Sequence, residues 1–510
     1  MGTATVAAEL TRRNYADFCA KLVFQEEFFL FGTKYATGRP GFSTWGFDME
    51  ATDMVMITAE QAKGLAALPF LKTFVAEAFY YIAGVLMLLI HVGFLAYEGG
   101  VSRSKNLLAT MVKNLMTLAT VGLTFYFFGW WVYNGFSLWP LSGPLLGPWT
   151  DPDSLSEPAK AAFVPVASSY PWSDSLTPTK GDEFTGVFWM VFALFAMTTS
   201  SILSGACIER IKLGAYFLLS IILGSVLWVI AAAWAWNFFG WMTSKWGVHD
   251  FGCAIVVHAI SGFFTLGVLM NLGPRIGKFD AEGKPKPILP HNISLTLIGL
   301  MLIFVGFYFF LACCVIYIPD YTGITNIYGS PVTLSMLAVN TTLALCGGLV
   351  GAYISSKADP FFTISGGLTG IISVASGMDL YHPALVIVIA YGAAWIMPKV
   401  ALFIEKLGID DAVGAVSVHG VTGVISGILP GLLAAGYVAQ DGQAPINLLG
   451  QVSGTLIVAI GLGFLPGYII TWVMNKLGIL RVTAEEEEAG LDISDLGVRA
   501  YPEQVALNPQ

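Results

Sequence analysis

Charge is scarce in this chain. Only 12% of its 510 residues are Asp, Glu, Lys or Arg, against 55% hydrophobic, and the mean hydropathy is +0.71. A soluble protein needs far more charge to cover its surface, so composition excludes the ordinary globular classes. Also missing is the alternation of apolar and polar residues over about 10 positions that marks the strands of an outer-membrane barrel. The apolar runs here are continuous. No basic segment followed by a short apolar stretch opens the chain, so no signal peptide is expected and the first span itself directs insertion. Cysteine is sparse. Cys19, Cys207, Cys253, Cys313, Cys314 and Cys346 show no paired metal spacing, and five lie in or beside apolar runs. They read as small packing residues rather than disulfides or metal ligands. The net charge of -9 falls largely in a loop at 138–183 and in the run Glu485 to Glu488, which is solvated surface and gives no sign of a nucleic-acid partner.

What remains is an all-α integral membrane protein. A hydrocarbon layer of roughly 30 Å takes about 20 apolar residues per helix. Eleven stretches of about that length follow residue 74, near 74–97, 107–132, 185–205, 211–238, 251–272, 293–318, 332–355, 361–377, 383–404, 412–436 and 447–475. Loops after odd-numbered spans hold most of the cations, Arg103, Arg210, Arg275 and Arg481 among them, while loops after even-numbered spans hold only Lys160, Lys180 and Lys245. By the positive-inside rule the N-terminus is outside and the C-terminus cytoplasmic. The expected organisation is an extracytoplasmic extension over 1–73, an eleven-helix body over 74–475 with an insertion at 138–184, and a cytoplasmic tail over 476–510. Two sequons, at Asn292 and Asn340, fall at a cytoplasmic helix start and inside a span, so both are chance matches. Gly347/Gly351, Gly366/Gly370 and Gly463/Gly467 are spaced for close helix packing.

The chain repeats itself once. DFGCAIVVHAISGF (Asp250 to Phe263) lies over DAVGAVSVHGVTGV (Asp411 to Val424), matching Asp250/Asp411, Ala254/Ala415, Val257/Val418, His258/His419 and Gly262/Gly423, with Ser261 opposite Thr422. An odd number of helices separates the copies, so they cross in opposite directions. This five-plus-five inverted repeat is common among transporters, whose sites lie at the repeat interface near the midplane, and it predicts that His258 and His419 meet. An ionisable side chain in a span is costly unless it faces a pore or a partner. His91, alone in span 1, fits a hydrogen bond to a neighbouring helix. Asp250 and Asp411 stand where helix N-caps are wanted.

These segments resemble the ammonium transporter family (Amt/Mep, with the Rhesus proteins as distant relatives). So do GGVSRSKN (Gly99 to Asn106), FAMTTSSILSGACIER (Phe195 to Arg210), LGPRIGKF (Leu272 to Phe279), PHN (Pro290 to Asn292) and the tail EEEEAGLD (Glu485 to Asp492) with Ala500-Tyr501. The resemblance implies the family's fold in the plasma or inner membrane, with ammonium and ammonia as cargo. It implies a twin-histidine pore of His258 and His419 for proton relay, and a gate of Phe195 and Phe310. Asp250, Trp236, Phe307 and Cys314 would recruit the cation at an outer vestibule. It further implies a homotrimer, a regulatory C-terminal tail and a cytoplasmic nitrogen-signalling regulator as partner. No catalytic residue, metal or cofactor is expected, and the chain is not an enzyme. The family's span-6 pattern, close to GWFGFNAGS, reads GFYFFLACC here (Gly306 to Cys314), so Phe307 stands for a tryptophan and Cys314 for a serine. A thiol accepts hydrogen bonds poorly, which predicts altered affinity at that site. Two competing readings are an ammonium sensor with little transport and a redox protein holding a haem between the histidines.

Overall fold

The computed structural model describes residues 69–176, 185–317 and 324–502. Most of the expected 1–73 extension, Cys19, Lys180, the end of the insertion and the last eight residues lie outside them. The chain divides into Met1–Val75 and Ala76–Gln510. Among the described residues ten helices are long and apolar enough to cross a membrane: α1 Phe74–Val101, α2 Ser104–Gly135, α3 Gly186–Ala206, α4 Leu213–Ala235, α5 Ala254–Leu272, α6 Ile293–Ala312, α7 Leu334–Ser355, α9 Pro383–Lys406, α10 Val416–Leu433 and α11 Leu448–Lys476. Between α7 and α9 lies the shorter apolar helix α8, Pro360–Ala375. Leu123, Phe127 and Val388 are each more than 60% exposed, the side chains a lipid-facing surface presents.

Hydrogen bonds between loops sort the helix ends into two groups. At one end Arg103 pairs with Glu209, Arg210 and Arg275 with Asp410, and Arg481 with the Leu272 carbonyl, joining the segments after α1, α3, α5, α9 and α11. At the other, Trp241 N–H donates to the Ser137 carbonyl, His249 and Asn326 meet Asp379, and Ser330 donates to the Ala439 carbonyl, joining the segments after α2, α4, α6, α8 and α10. The odd and even loops thus separate as their charges predict. Although short, α8 connects the two ends: Phe361 at its start stacks on Tyr97 of α1, and Ser376 just past its end donates to Asp250.

Packing repeats as well. α2 packs on α3 and α4 as α7 packs on α8 and α9, while α1 lies on α6 and α5 on α10. Glycines permit the close approaches. A Cβ on Gly351 would stand 2.4 Å from the Tyr391 carbonyl, and one on Gly467 2.4 Å from that of Phe264. Asn292 caps α6, and Asn340 is buried with its amide on the Met378 and Tyr381 carbonyls. Cys207, Cys253, Cys313 and Cys314 are buried; Cys346 is exposed, because its face of α7 points outward.

Two features were not announced by the sequence. A three-stranded antiparallel sheet, β1 Val315–Tyr317, β2 Ile324–Asn326 and β3 Pro331–Val332, follows α6, with strands too short for a period of two to register. And α1 runs to Val101, four residues past the expected boundary at 97, burying Glu98 inside the bundle.

Candidate functional site

The two repeat segments start at opposite ends of the bundle, and each start is built alike. Asp250 Oδ2 accepts from the N–H groups of Ile255 and Val256 at 2.9 and 3.0 Å; Asp411 accepts from Ala415 and Val416 at 3.0 and 2.7 Å. A left-handed residue lets the chain turn back over each carboxylate: Gly414 at φ 73° in one copy, Cys253 at φ 62° in the other. Asp250 spends its second oxygen on the Ser376 hydroxyl at 2.7 Å, so it ties α5 to the end of α8. It is fully buried and occupied on both oxygens.

Immediately after each aspartate the helix widens into a π turn, Ala254–Ala259 and Val416–Val421, and each turn carries its histidine. Such turns recur at functional sites because they displace a side chain from the regular helical ladder. The matched hydroxyls repair the backbone there, Ser261 donating to the Val257 carbonyl and Thr422 to that of Ser417. The helices then cross at glycine. A Cβ on Gly262 would lie 2.1 Å from the Gly420 nitrogen, and one on Gly423 2.6 Å from that of Ala259. Gly262→Ala should therefore force the backbones apart, costing about 1–3 kcal/mol as overpacking does and separating the imidazoles. Thermal unfolding in detergent checks it; an unshifted transition would show that the crossing tolerates a methyl group.

The crossing sets His258 Nδ1 3.0 Å from His419 Nδ1, with ring centroids 5.2 Å apart and planes inclined by 22°. One nitrogen of that pair donates and the other accepts. His258 Nε2 is buried and has no protein partner. It is an open polar atom in an apolar wall, costly unless something binds to it. His91 behaves differently: both its nitrogens face hydroxyls of α3, Thr198 and Ser201, at 3.4 Å.

Aromatic rings close one side of the pair. Phe307 stacks on His258 at 5.7 Å and on Phe310 at 5.2 Å; Phe310 meets Phe195 edge-on at 4.4 Å, and Phe195 leans on Trp236 at 5.0 Å. Beyond them opens a cavity of about 370 Å³ walled by Trp130, Tyr133, Phe188, Phe192 and Asn237. None of the four residues expected at a recruitment site lines this cavity. Trp236 is buried, its indole N–H on the Phe251 carbonyl. Phe307 belongs to the constriction beside His258, and the buried Cys314 thiol turns back onto the Phe310 carbonyl at 3.5 Å. The cavity wall was missed, although Phe192 lies one helical turn before Phe195 and faces the same way. On the other side of the pair, His419 borders a cavity of about 20 Å³ with Phe94, Tyr97, Glu98, Val413 and Val418.

A haem does not fit between these histidines. Axial nitrogens about 2 Å from a metal stand roughly 4 Å apart, and here 3.0 Å separates atoms hydrogen-bonded to each other. Among the described residues no cluster of His, Cys, Asp or Glu suits a metal ion.

Comparison with known proteins finds relatives that match most of the chain. The curated ammonium transporter Amt2 of Methanocaldococcus jannaschii is 31% identical over 472 residues, covering 91% of this chain and all of that protein. Amt1 of the same organism is 31% identical, covering 84% and 97%. Among solved structures, one described as a sensor Amt protein superposes with a TM-score of 0.68 at 24% identity, over 83% of this chain and 99% of its own. Mep2 of Candida albicans gives 0.62 at 22%, over 81% and 87%. The model of the Ammonium Transporter Family matches residues 78–501, which take in both histidine segments and most of the tail, and the chain therefore belongs to that family.

Proposed function

We propose that this chain carries ammonium across the plasma or inner membrane as ammonia plus a relayed proton. The observation that carries this reading is the buried Nδ1 to Nδ1 hydrogen bond between His258 and His419, with His258 Nε2 left open behind an aromatic constriction. An intact cation would lose its hydration in such a passage at great cost, whereas neutral ammonia crosses cheaply. Aromatic faces of the 370 Å³ vestibule attract the cation by about 0.5–2 kcal/mol each. Phe195 and Phe310, with Phe307 beneath them, exclude water. His258 accepts the proton at Nε2, and the Nδ1 pair passes it to His419. Trp236, Asp250 and Cys314 hold this wall in shape. Potassium has no proton to give and is refused. The start of α1 and the Glu157–Ser168 insertion helix lie outside, and the charged end joined by Arg103, Arg210 and Arg275 faces the cytoplasm.

The tail over 476–510 acts there as a regulatory element. Lys105 donates to the Glu487 and Glu488 carbonyls, and Asp492 accepts from Ala109 N–H. A homotrimer and a cytoplasmic nitrogen-signalling partner complete the picture. Proteoliposomes on an electrode test the reading. An ammonium jump should elicit inward current and an equal potassium jump none. A fluorescence response to ammonium without current or uptake would make the protein a sensor instead.

A further inference from the structure

We propose that Glu98 is the proton acceptor beyond the histidine pair, an inference resting on the transport reading above. Glu98 is 1% exposed within α1 and lines the same narrow cavity as His419. That space, about 20 Å³, holds one water or ammonia molecule. Intramembrane carboxylates are expensive, and those retained mark ion or proton routes.

The surroundings suit proton acceptance better than a structural ion pair. Asn114 of α2 donates to Glu98 Oε2 at 2.9 Å, and the Ser204 hydroxyl of α3 donates to Oε1. Lys113 lies 3.9 Å from Oε2 but gives its hydrogen bond to the Ser204 carbonyl at 2.5 Å, over the ring of Tyr216. A pair serving only to clamp helices would be joined directly. Here the ammonium supplies field without capping the carboxylate. Gly205 keeps the approach clear, since a Cβ there would stand 3.2 Å from Glu98 Cδ. The other titratable groups about Glu98 are Tyr97, Tyr216 and Cys207, which are neutral near pH 7 by their ordinary ranges.

The proton balance is simple. An N–H bond of ammonium breaks at the outer side as His258 takes the proton. It moves through the Nδ1 pair to His419, crosses the single cavity water and forms an O–H bond on Glu98. Ammonia arriving at the inner side then takes it, breaking that O–H bond and re-forming ammonium. No electron is exchanged and Lys113 keeps its charge throughout.

Glu98→Gln keeps the shape and the acceptor oxygen but cannot take a proton. Its ammonium current should fall at least tenfold at unchanged half-saturation, while ammonia-driven alkalinisation of the vesicle lumen persists. Glu98→Asp should restore most of the current. Infrared difference spectra of the wild type, ammonium against potassium, should show a protonated-carboxyl band that shifts in Glu98→Asp. That arm decides the matter if Glu98→Gln fails to fold. Wild-type current in Glu98→Gln, equal loss in both variants, or absence of the band overturns the proposal. A silent wild type overturns the transport reading instead.

Discussion

His258→Asn is expected to lower the ammonium current about 100-fold or more, the range a positioned acid–base group contributes, with ammonia permeation kept within a few-fold. Asparagine fills less space than imidazole and does not titrate near neutral pH. It therefore breaks the 3.0 Å contact with His419 and removes the acceptor at Nε2 together. Neutral ammonia needs neither. The informative comparison is His91→Asn, another buried histidine replaced in the same way. His91 faces Thr198 and Ser201 and lies on neither cavity's wall. Its loss should cost roughly 1 kcal/mol of stability and leave the current within twofold. Current on reconstituted protein, beside a lumenal pH dye for ammonia, separates the outcomes. Wild-type current in His258→Asn would end the relay account, and equal losses in both variants would reduce the histidine pair to packing.

The histidine pair was legible because function there is written twice. Ionisable residues are rare in spans, and the same register at Asp250/Asp411, His258/His419 and Gly262/Gly423 leaves little else to explain. Even Ser261 and Thr422, opposite each other in the repeat, both donate to a carbonyl of the preceding turn, Val257 and Ser417. The two-ended sorting of loops was legible for a similar reason, since cations report sidedness directly. Cavities are different. Phe192, Tyr133 and Asn237 come from three separate segments, and nothing local in the sequence says that they enclose one space. The recruitment residues rest on likeness alone, and their burial follows from packing partners such as Phe251 and Ser376 that no spacing reveals. Glu98 was lost to a boundary. Hydropathy falls at a glutamate followed by two glycines, which ends the expected span at 97, whereas Asn114, Ser204 and Lys113 from two other helices let α1 continue.

Asp410→Asn should destabilise the bundle by about 3–5 kcal/mol, the cost of stranding buried charge. Asp410 takes a two-pronged contact from Arg275, at 2.8 and 2.9 Å, and a backbone N–H at 2.9 Å, while fully buried Arg210 lies 3.7 Å away and donates to its carbonyl. Asparagine keeps the shape and leaves two guanidinium groups without an anion. Burial alone would raise the Asp410 carboxyl, but Arg210 and then Arg275 outweigh it and hold it well below the usual carboxylate range. A depressed folded value contributes stability above the unfolded value, near 4, that is lost as pH falls through the folded one. The wild type should therefore show no change from this group between about pH 5 and 8 and should weaken in acid, whereas the variant is already weak and lacks that acid limb. The damage also reaches the pore. The next residue, Asp411, caps the π turn that holds His419, so a loosened bridge lets α10 shift and the 3.0 Å histidine contact open. Tryptophan-monitored unfolding in detergent from pH 3 to 8, beside current at pH 7, measures both consequences. An unfolding transition equal to wild type, with current intact, would show that the three charges are screened well enough to be independent.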